Sequence, residues 1–91
     1  MRLRWTREAA TDLERIAEYL VQHVPERAAA LVRTIYEAPS LLLDFPLRGR
    51  PGKKAGTREL VMPSLPYVIV YTVRDDVVVV VRILHGAQQW P

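Results

Sequence analysis

Apolar residues recur along this chain with two different periods, and the change of period divides it. Leu3 and Trp5 share one parity and Arg2 and Arg4 the other, which predicts a short, half-buried strand. Apolar residues then fall at Ala9, Leu13, Ile16, Ala17, Leu20 and Val24, the spacing of an amphipathic helix, with Glu8, Asp12, Arg15, Glu18 and Gln22 turned away. Thr6 is the expected N-cap, because a hydroxyl there accepts an otherwise unpaired N–H of the first turn. Pro25 stops this helix and suits the first turn of a second, whose stripe is Ala28, Leu31, Val32 and Ile35. So short a link predicts an antiparallel helical hairpin. Pro39 predicts a kink or stop near Ala38, with Leu41 to Leu43 extending the apolar surface by about a turn.

From Phe45 to Gly56 the pattern is lost, and prolines and glycines mark a loop too long for a mere connector. Strand signals resume over Thr57 to Met62, Tyr67 to Val73 and Val77 to Leu84, the last two joined by a turn at Arg74-Asp75-Asp76. Both of those strands are apolar on both parities and should be central or covered. The predicted order is β-α-α-β-β-β, an α+β domain over residues 1–91 in which a helical hairpin covers one face of a mostly antiparallel sheet. Leu13, Ile16, Leu20, Leu31, Val32 and Ile35 should pack on Val70, Val79 or their neighbours.

Composition narrows the chemistry. At 91 residues and 49% hydrophobic content the chain can bury one core. With no cysteine, disulfide frameworks, thiolate metal sites and cysteine nucleophiles are excluded. The longest strictly apolar run, Val77 to Val81, falls far short of the ~20 residues of a membrane helix. The first residues lack the apolar stretch of a signal peptide, so the cytoplasm is the expected compartment, with no membrane partner. Only His23 and His85 are present, and no metal spacing includes them; Gly49, Gly52 and Gly56 precede a strand rather than follow one. No cofactor is expected.

The net charge of +3 is unevenly placed. Arg48 to Arg58 holds five cations and no anion, either a solvated loop or a surface for a polyanion or acidic partner. Arg48, Arg50, Lys53 and Lys54 are the candidate target or nucleic-acid contacts, together with Tyr67 and Tyr71 on one parity of the middle strand. Arg82 interrupts a valine run and needs a partner, Glu59 or an acidic helix residue, or a place at the rim. His85 either caps the sheet end or serves as an acid or base. If the chain were a ribonuclease, Arg58, Arg82 and His85 would be the catalytic candidates. A two-residue turn at Asp75-Asp76 sets Ile69 opposite Arg82, which then shares a face with Tyr67 and Tyr71, and this is the expected register. A shift by one residue would instead put the tyrosines on the face of Val81 and Ile83, where His85 could join them.

Taken in order, these segments resemble the RelE/ParE superfamily of type II toxin–antitoxin toxins, closer to its ParE-like or undifferentiated branch. The resemblance rests on Ala10-x-Asp12-Leu13-x-x-Ile16-x-x-Tyr19, Phe45-Pro46-x-x-Gly49-Arg50-Pro51-Gly52, Gly56-Thr57-Arg58-Glu59-Leu60, Pro66 to Tyr71, and Val81-x-Ile83-Leu84-His85-Gly86-Ala87-x-x-Trp90-Pro91. It implies a toxin held inactive in an oligomer with its cognate antitoxin. It implies two alternative actions: inhibition of a protein target, DNA gyrase, or metal-free cleavage of mRNA on the ribosome. RelE-like members commonly carry an arginine just after the position of Tyr67; this chain has Val68, which favours the gyrase reading. An acidic antitoxin helix is expected on apolar surface left bare by Val77 to Val81 and Leu41 to Leu43.

Overall fold

A computed structural model describes residues 1–86. Strand β1 (Arg2–Trp5) leads into helix α1 (Arg7–His23) and helix α2 (Ala28–Glu37), which runs on as a 3-10 helix, Ala38–Leu43. Strands β2 (Arg50–Pro51), β3 (Arg58–Val61), β4 (Tyr67–Arg74) and β5 (Val77–His85) follow. They form one sheet in the order β1-β5-β4-β3-β2, parallel between β1 and β5 and antiparallel elsewhere. The α+β class and the helix-covered face agree with the sequence pattern. The loop contains one unpredicted element, β2, too short to show a period of its own.

Local signals set most boundaries. Thr6 Oγ1 accepts the Ala9 N–H at 3.0 Å, the expected N-cap. Pro39 lies in the first turn of the 3-10 helix, where its missing donor costs nothing, so α2 ends just before it. Pro25, however, does not open α2: Pro25, Glu26 and Arg27 form a turn closed by the Arg27 N–H on the Val24 carbonyl, 2.9 Å, and α2 begins at Ala28. Asp75 and Asp76 have φ of 51° and 65°, the left-handed pair of a two-residue hairpin turn, which aspartate tolerates.

That turn pairs Arg74 with Val77, and the register runs as expected as far as Tyr71 opposite Val80. There Val81 bulges out of the ladder, so Val70 pairs with Arg82, Ile69 with Ile83 and Tyr67 with His85. The expected juxtaposition of Ile69 and Arg82 is therefore corrected, and Arg82 does not share the face of Tyr67 and Tyr71. The reason is electrostatic. A regular strand would continue Val78 and Val80 with Arg82 inside the apolar core; the bulge advances the phase by one and puts Ile83 there instead.

The core lies between helices and sheet. Ala9, Ile35, Met62, Tyr67, Ile69, Val80 and Ile83 are buried together, with Leu13, Ile16 and Trp5 packed on them. The helical stripes thus meet Ile69, Val80 and Ile83; Val70 lies on the opposite parity, although it too is buried. Leu42, Tyr71 and Val78 form a second cluster beneath the 3-10 helix.

Candidate functional site

Of the proposed catalytic trio, Arg82 is held by α1. Its Nε donates to Asp12 Oδ2 at 2.7 Å and its Nη2 to Oδ1 at 3.0 Å, while the Ile83 N–H donates to Oδ2 at 2.9 Å. The hydrogen bond to Asp12 raises the Arg82 pKa above its ordinary value, with desolvation opposing it and the charges of Asp12 and Glu8 adding to it. Asp12, which the helical period turns outward, is only 8% exposed. The helix runs past the edge of β5, so a residue beside the apolar stripe meets the bulged strand rather than water. Arg82 is a framework residue, paired with an acidic helix residue as one alternative required.

Arg58 is tied elsewhere. It pairs in register with Tyr71, its Nη2 donates to the Leu47 carbonyl at 3.4 Å, and its Nε is buried with no hydrogen-bond partner among the described residues. His85 pairs with Tyr67 and meets its ring edge-on at 6.0 Å. Tyr67 and Tyr71 are four positions apart on β4, so Arg58 and His85 are offset by roughly 13 Å along the strands. Arg58, Arg82 and His85 do not converge on one phosphate.

A different set does converge. On the face away from the helices, Arg50, Lys53 and Glu59 border a cavity of about 50 Å³ with Val68 and Leu84. His85, at the end of β5, lines it too, but its register and ring contact set it on the side of Tyr67, where it also lines an opening with Arg15, Ile16 and Tyr19. Arg50 Nε donates to Glu59 Oε1 at 2.9 Å, so one cation is already neutralised. Glu59 was expected only as a partner for Arg82; its pairing with Arg50 follows from the short strand β2, which sets the two directly opposite. Lys54 lies at the tip of the β2–β3 hairpin, where its carbonyl accepts the Thr57 N–H at 3.1 Å.

The two tyrosines divide in role. Tyr71 is fully buried, donates its hydroxyl to the Pro46 carbonyl at 2.8 Å and accepts the Gly49 N–H at 2.8 Å. A Cβ on Gly49 would stand 2.6 Å from that hydroxyl, so only glycine permits the approach. Tyr71 thus pins the loop and cannot itself touch a macromolecule. Tyr67 is buried beneath α1, and burial, then the nearby Tyr19, pushes its hydroxyl pKa up.

The bare apolar surface is not where the sequence put it. Val78, Val80 and Leu42 are buried and only Leu41 of the leucine run is exposed. Two other surfaces are exposed instead. One is a groove of about 570 Å³ between the helices, lined by Trp5, Leu13, Val32 and Tyr36 among others. The other is Phe45 and Leu47, 57% and 68% exposed. Among the described residues no group of acidic, histidine or cysteine side chains is arranged to hold a metal, and no helix is long and apolar enough to cross a membrane. The end of the tail motif, Ala87, Trp90 and Pro91, lies outside the described residues.

Known proteins share this architecture. Residues 3–90 match the family described as the ParE toxin of the type II toxin–antitoxin system parDE. The toxin-named protein Y4kP of Sinorhizobium fredii is 40% identical over 90 residues, 99% of this chain and 93% of the relative. Toxin RelE2 of Caulobacter vibrioides is 40% identical over 84 residues, covering 92% and 93% of the two chains. A chain from the chromosomal ParDE system of P. aeruginosa superposes with a TM-score of 0.87 at 32% identity, covering 93% of this chain and 95% of the other. A chain of the RelBE2 toxin–antitoxin complex of Mycobacterium tuberculosis gives 0.62 at 27% identity, over 96% and 92%.

Proposed function

The chain belongs to the ParE toxin family of type II toxin–antitoxin systems, and from that premise we propose that it arrests growth by binding and inhibiting a protein target, DNA gyrase, when its antitoxin is removed. The observation that carries this reading is the floor of the small cavity. Position 68, where RelE-like nucleases commonly carry an arginine, is a valine that lines the cavity with Arg50 and Lys53. Metal-free RNA cleavage needs cations free to meet the developing phosphorane. Here Arg50 is paired with Glu59, Arg82 with Asp12, and Arg58 is turned to the Leu47 carbonyl. A volume of about 50 Å³ also admits little more than water, against the several hundred Å³ of a ligand pocket.

The antitoxin would lay an apolar helix face into the groove at Trp5, Leu13, Val32 and Tyr36, which offers the spaced anchors that helix recognition uses. Stacking of Trp5 on Tyr36, 5.6 Å between ring centres, gives that groove a rigid aromatic wall. The surroundings are the cytoplasm, where such a target resides.

A second reading, the ribosome-dependent mRNA endonuclease, is favoured by one observation: Arg50, Lys53 and Glu59 put cations and a carboxylate around one cavity that His85 also borders. Induction without antitoxin, followed by parallel assays of DNA supercoiling and of message cleavage, separates the two. Loss of supercoiling with intact messages supports the gyrase reading; mapped cleavage abolished by His85→Ala or Glu59→Gln overturns it.

A further inference from the structure

The segment Phe45–Arg48 exposes two large apolar side chains next to a cation, yet its backbone is fixed from several sides. The Phe45 N–H donates to the Leu41 carbonyl at 3.1 Å and the Arg48 N–H to the Phe45 carbonyl at 3.1 Å. Tyr71, from the core, holds the Pro46 carbonyl and the Gly49 N–H through one hydroxyl. Arg58 reaches the Leu47 carbonyl from below. Exposed apolar side chains are common on protein surfaces, but a loop that pays for its ordering within the fold and then points Phe45 and Leu47 outward is preorganised for contact. Its immediate charges are Asp44 and Arg48, and the chain continues through Arg50 and Lys53 without another anion until Glu59. With Arg50 paired to Glu59, Arg48 and Lys53 are the cations of the adjacent surface.

We propose that Phe45, Leu47 and Arg48 form the target-engaging surface of this toxin, which docks an acidic segment of the target protein carrying apolar anchors, and that Tyr71 and Gly49 are its positioning residues. The proposal rests on the reading of the chain as a toxin that acts by binding a protein. Charge decides the chemistry of the occupant: carboxylates of the target meet Arg48 and its basic continuation, while its apolar side chains meet Phe45 and Leu47. The antitoxin groove at Trp5 and Tyr36 is a separate surface, divided from this one in sequence by the six-residue 3-10 helix. The two surfaces therefore present different side chains to their partners.

The test uses the full chain with Phe45→Ser/Leu47→Ser together, and separately Arg48→Glu and Tyr71→Phe, each titrated for growth arrest and for capture by the cognate antitoxin. The double variant should lose toxicity by at least about tenfold, as a central apolar anchor does, while antitoxin capture and the thermal midpoint stay at wild-type values. Arg48→Glu should weaken toxicity in the same direction without touching fold. Tyr71→Phe should lower toxicity only partly, because the contacts remain but their backbone is no longer pinned. Undiminished toxicity of the double variant, or loss of antitoxin capture with it, overturns the proposal. Growth arrest reads the surface whatever the target is, so wild-type toxin that leaves supercoiling unchanged, beside a double variant that has lost toxicity, would discard gyrase and keep the surface.

Discussion

Two regions of this molecule carry an arginine–carboxylate pair, and they are built for opposite ends. At the seam between α1 and β5, β1 stops pairing at Val80 and the start of α1 takes over the strand edge. The Thr6 N–H donates to the Val80 carbonyl, Thr6 Oγ1 donates to the Val81 carbonyl that the bulge leaves out of the ladder, and Asp12 takes the Ile83 N–H and both arms of Arg82. The Val80 and Val81 carbonyls and the Ile83 N–H thus find partners at the cap and first turns of α1. In the loop region the other pair, Arg50 and Glu59, is a single bond across a two-residue strand, with the arginine mostly in water. Both carboxylates are buried, but the first pair ties helix to sheet through three bonds while the second holds an arginine that stays in solvent. An arginine inside a valine run is therefore a poor guide to chemistry here, and one in a glycine-rich loop a better guide.

The sharpest way to break this contrast is to cut the seam. Asp12→Ala leaves Arg82 partly buried and uncompensated and the Ile83 N–H without an acceptor. It should cost about 3–5 kcal/mol, a large share of the ~5–15 kcal/mol that holds a domain together. Urea denaturation measures it, and a loss under about 1 kcal/mol would place the pair with the surface bridges. Ile35→Ala, at a fully buried position that touches neither pair, calibrates the scale at about 2–5 kcal/mol.

These differences also mark how far the sequence could be read. Helices, caps, the Pro39 stop, the hairpin turn and both central strands announce themselves through period and turn chemistry, which act within a few residues. The bulge at Val81 does not, because it arises from a conflict between strand period and the charge of Arg82 that only the partner strand and α1 resolve. Asp12 was misplaced for the same reason: a helical wheel knows the direction of a side chain and not what lies there. The candidate site was partly legible. Arg50, Lys53 and His85 do meet around one cavity, whereas Arg58 and Arg82 are drawn to partners distant in sequence.

Smaller changes sharpen the contrast. Thr6→Ala removes both a cap and the acceptor's partner at Val81, and should cost about 1–2 kcal/mol. A shift in thermal midpoint of roughly 4–16 °C would register it, given some 4–8 °C per kcal/mol at this size. Arg50→Ala should cost about 1 kcal/mol, because the arginine is mostly in water and its charge is screened, even though the buried Glu59 carboxylate loses this partner. If Arg50→Ala proves the more costly of the two, the loop pair is structural and the division drawn above fails.

The smallest effect at neutral pH comes from Tyr67, and it appears only in alkali. Its hydroxyl pKa lies above the ordinary 10.0 because burial disfavours the phenolate, with Tyr19 adding to the shift. The unfolded chain therefore releases this proton first. The contribution of Tyr67 is fully present below the unfolded pKa and is lost as pH rises through the folded one, so stability should decline above about pH 10. Tyr67→Phe keeps the ring in the core and removes the proton. Wild type and variant, compared by urea denaturation from pH 8 to pH 11, should therefore diverge in slope and not in their values at pH 8. Parallel curves across that range would show that the Tyr67 hydroxyl is not the titrating group.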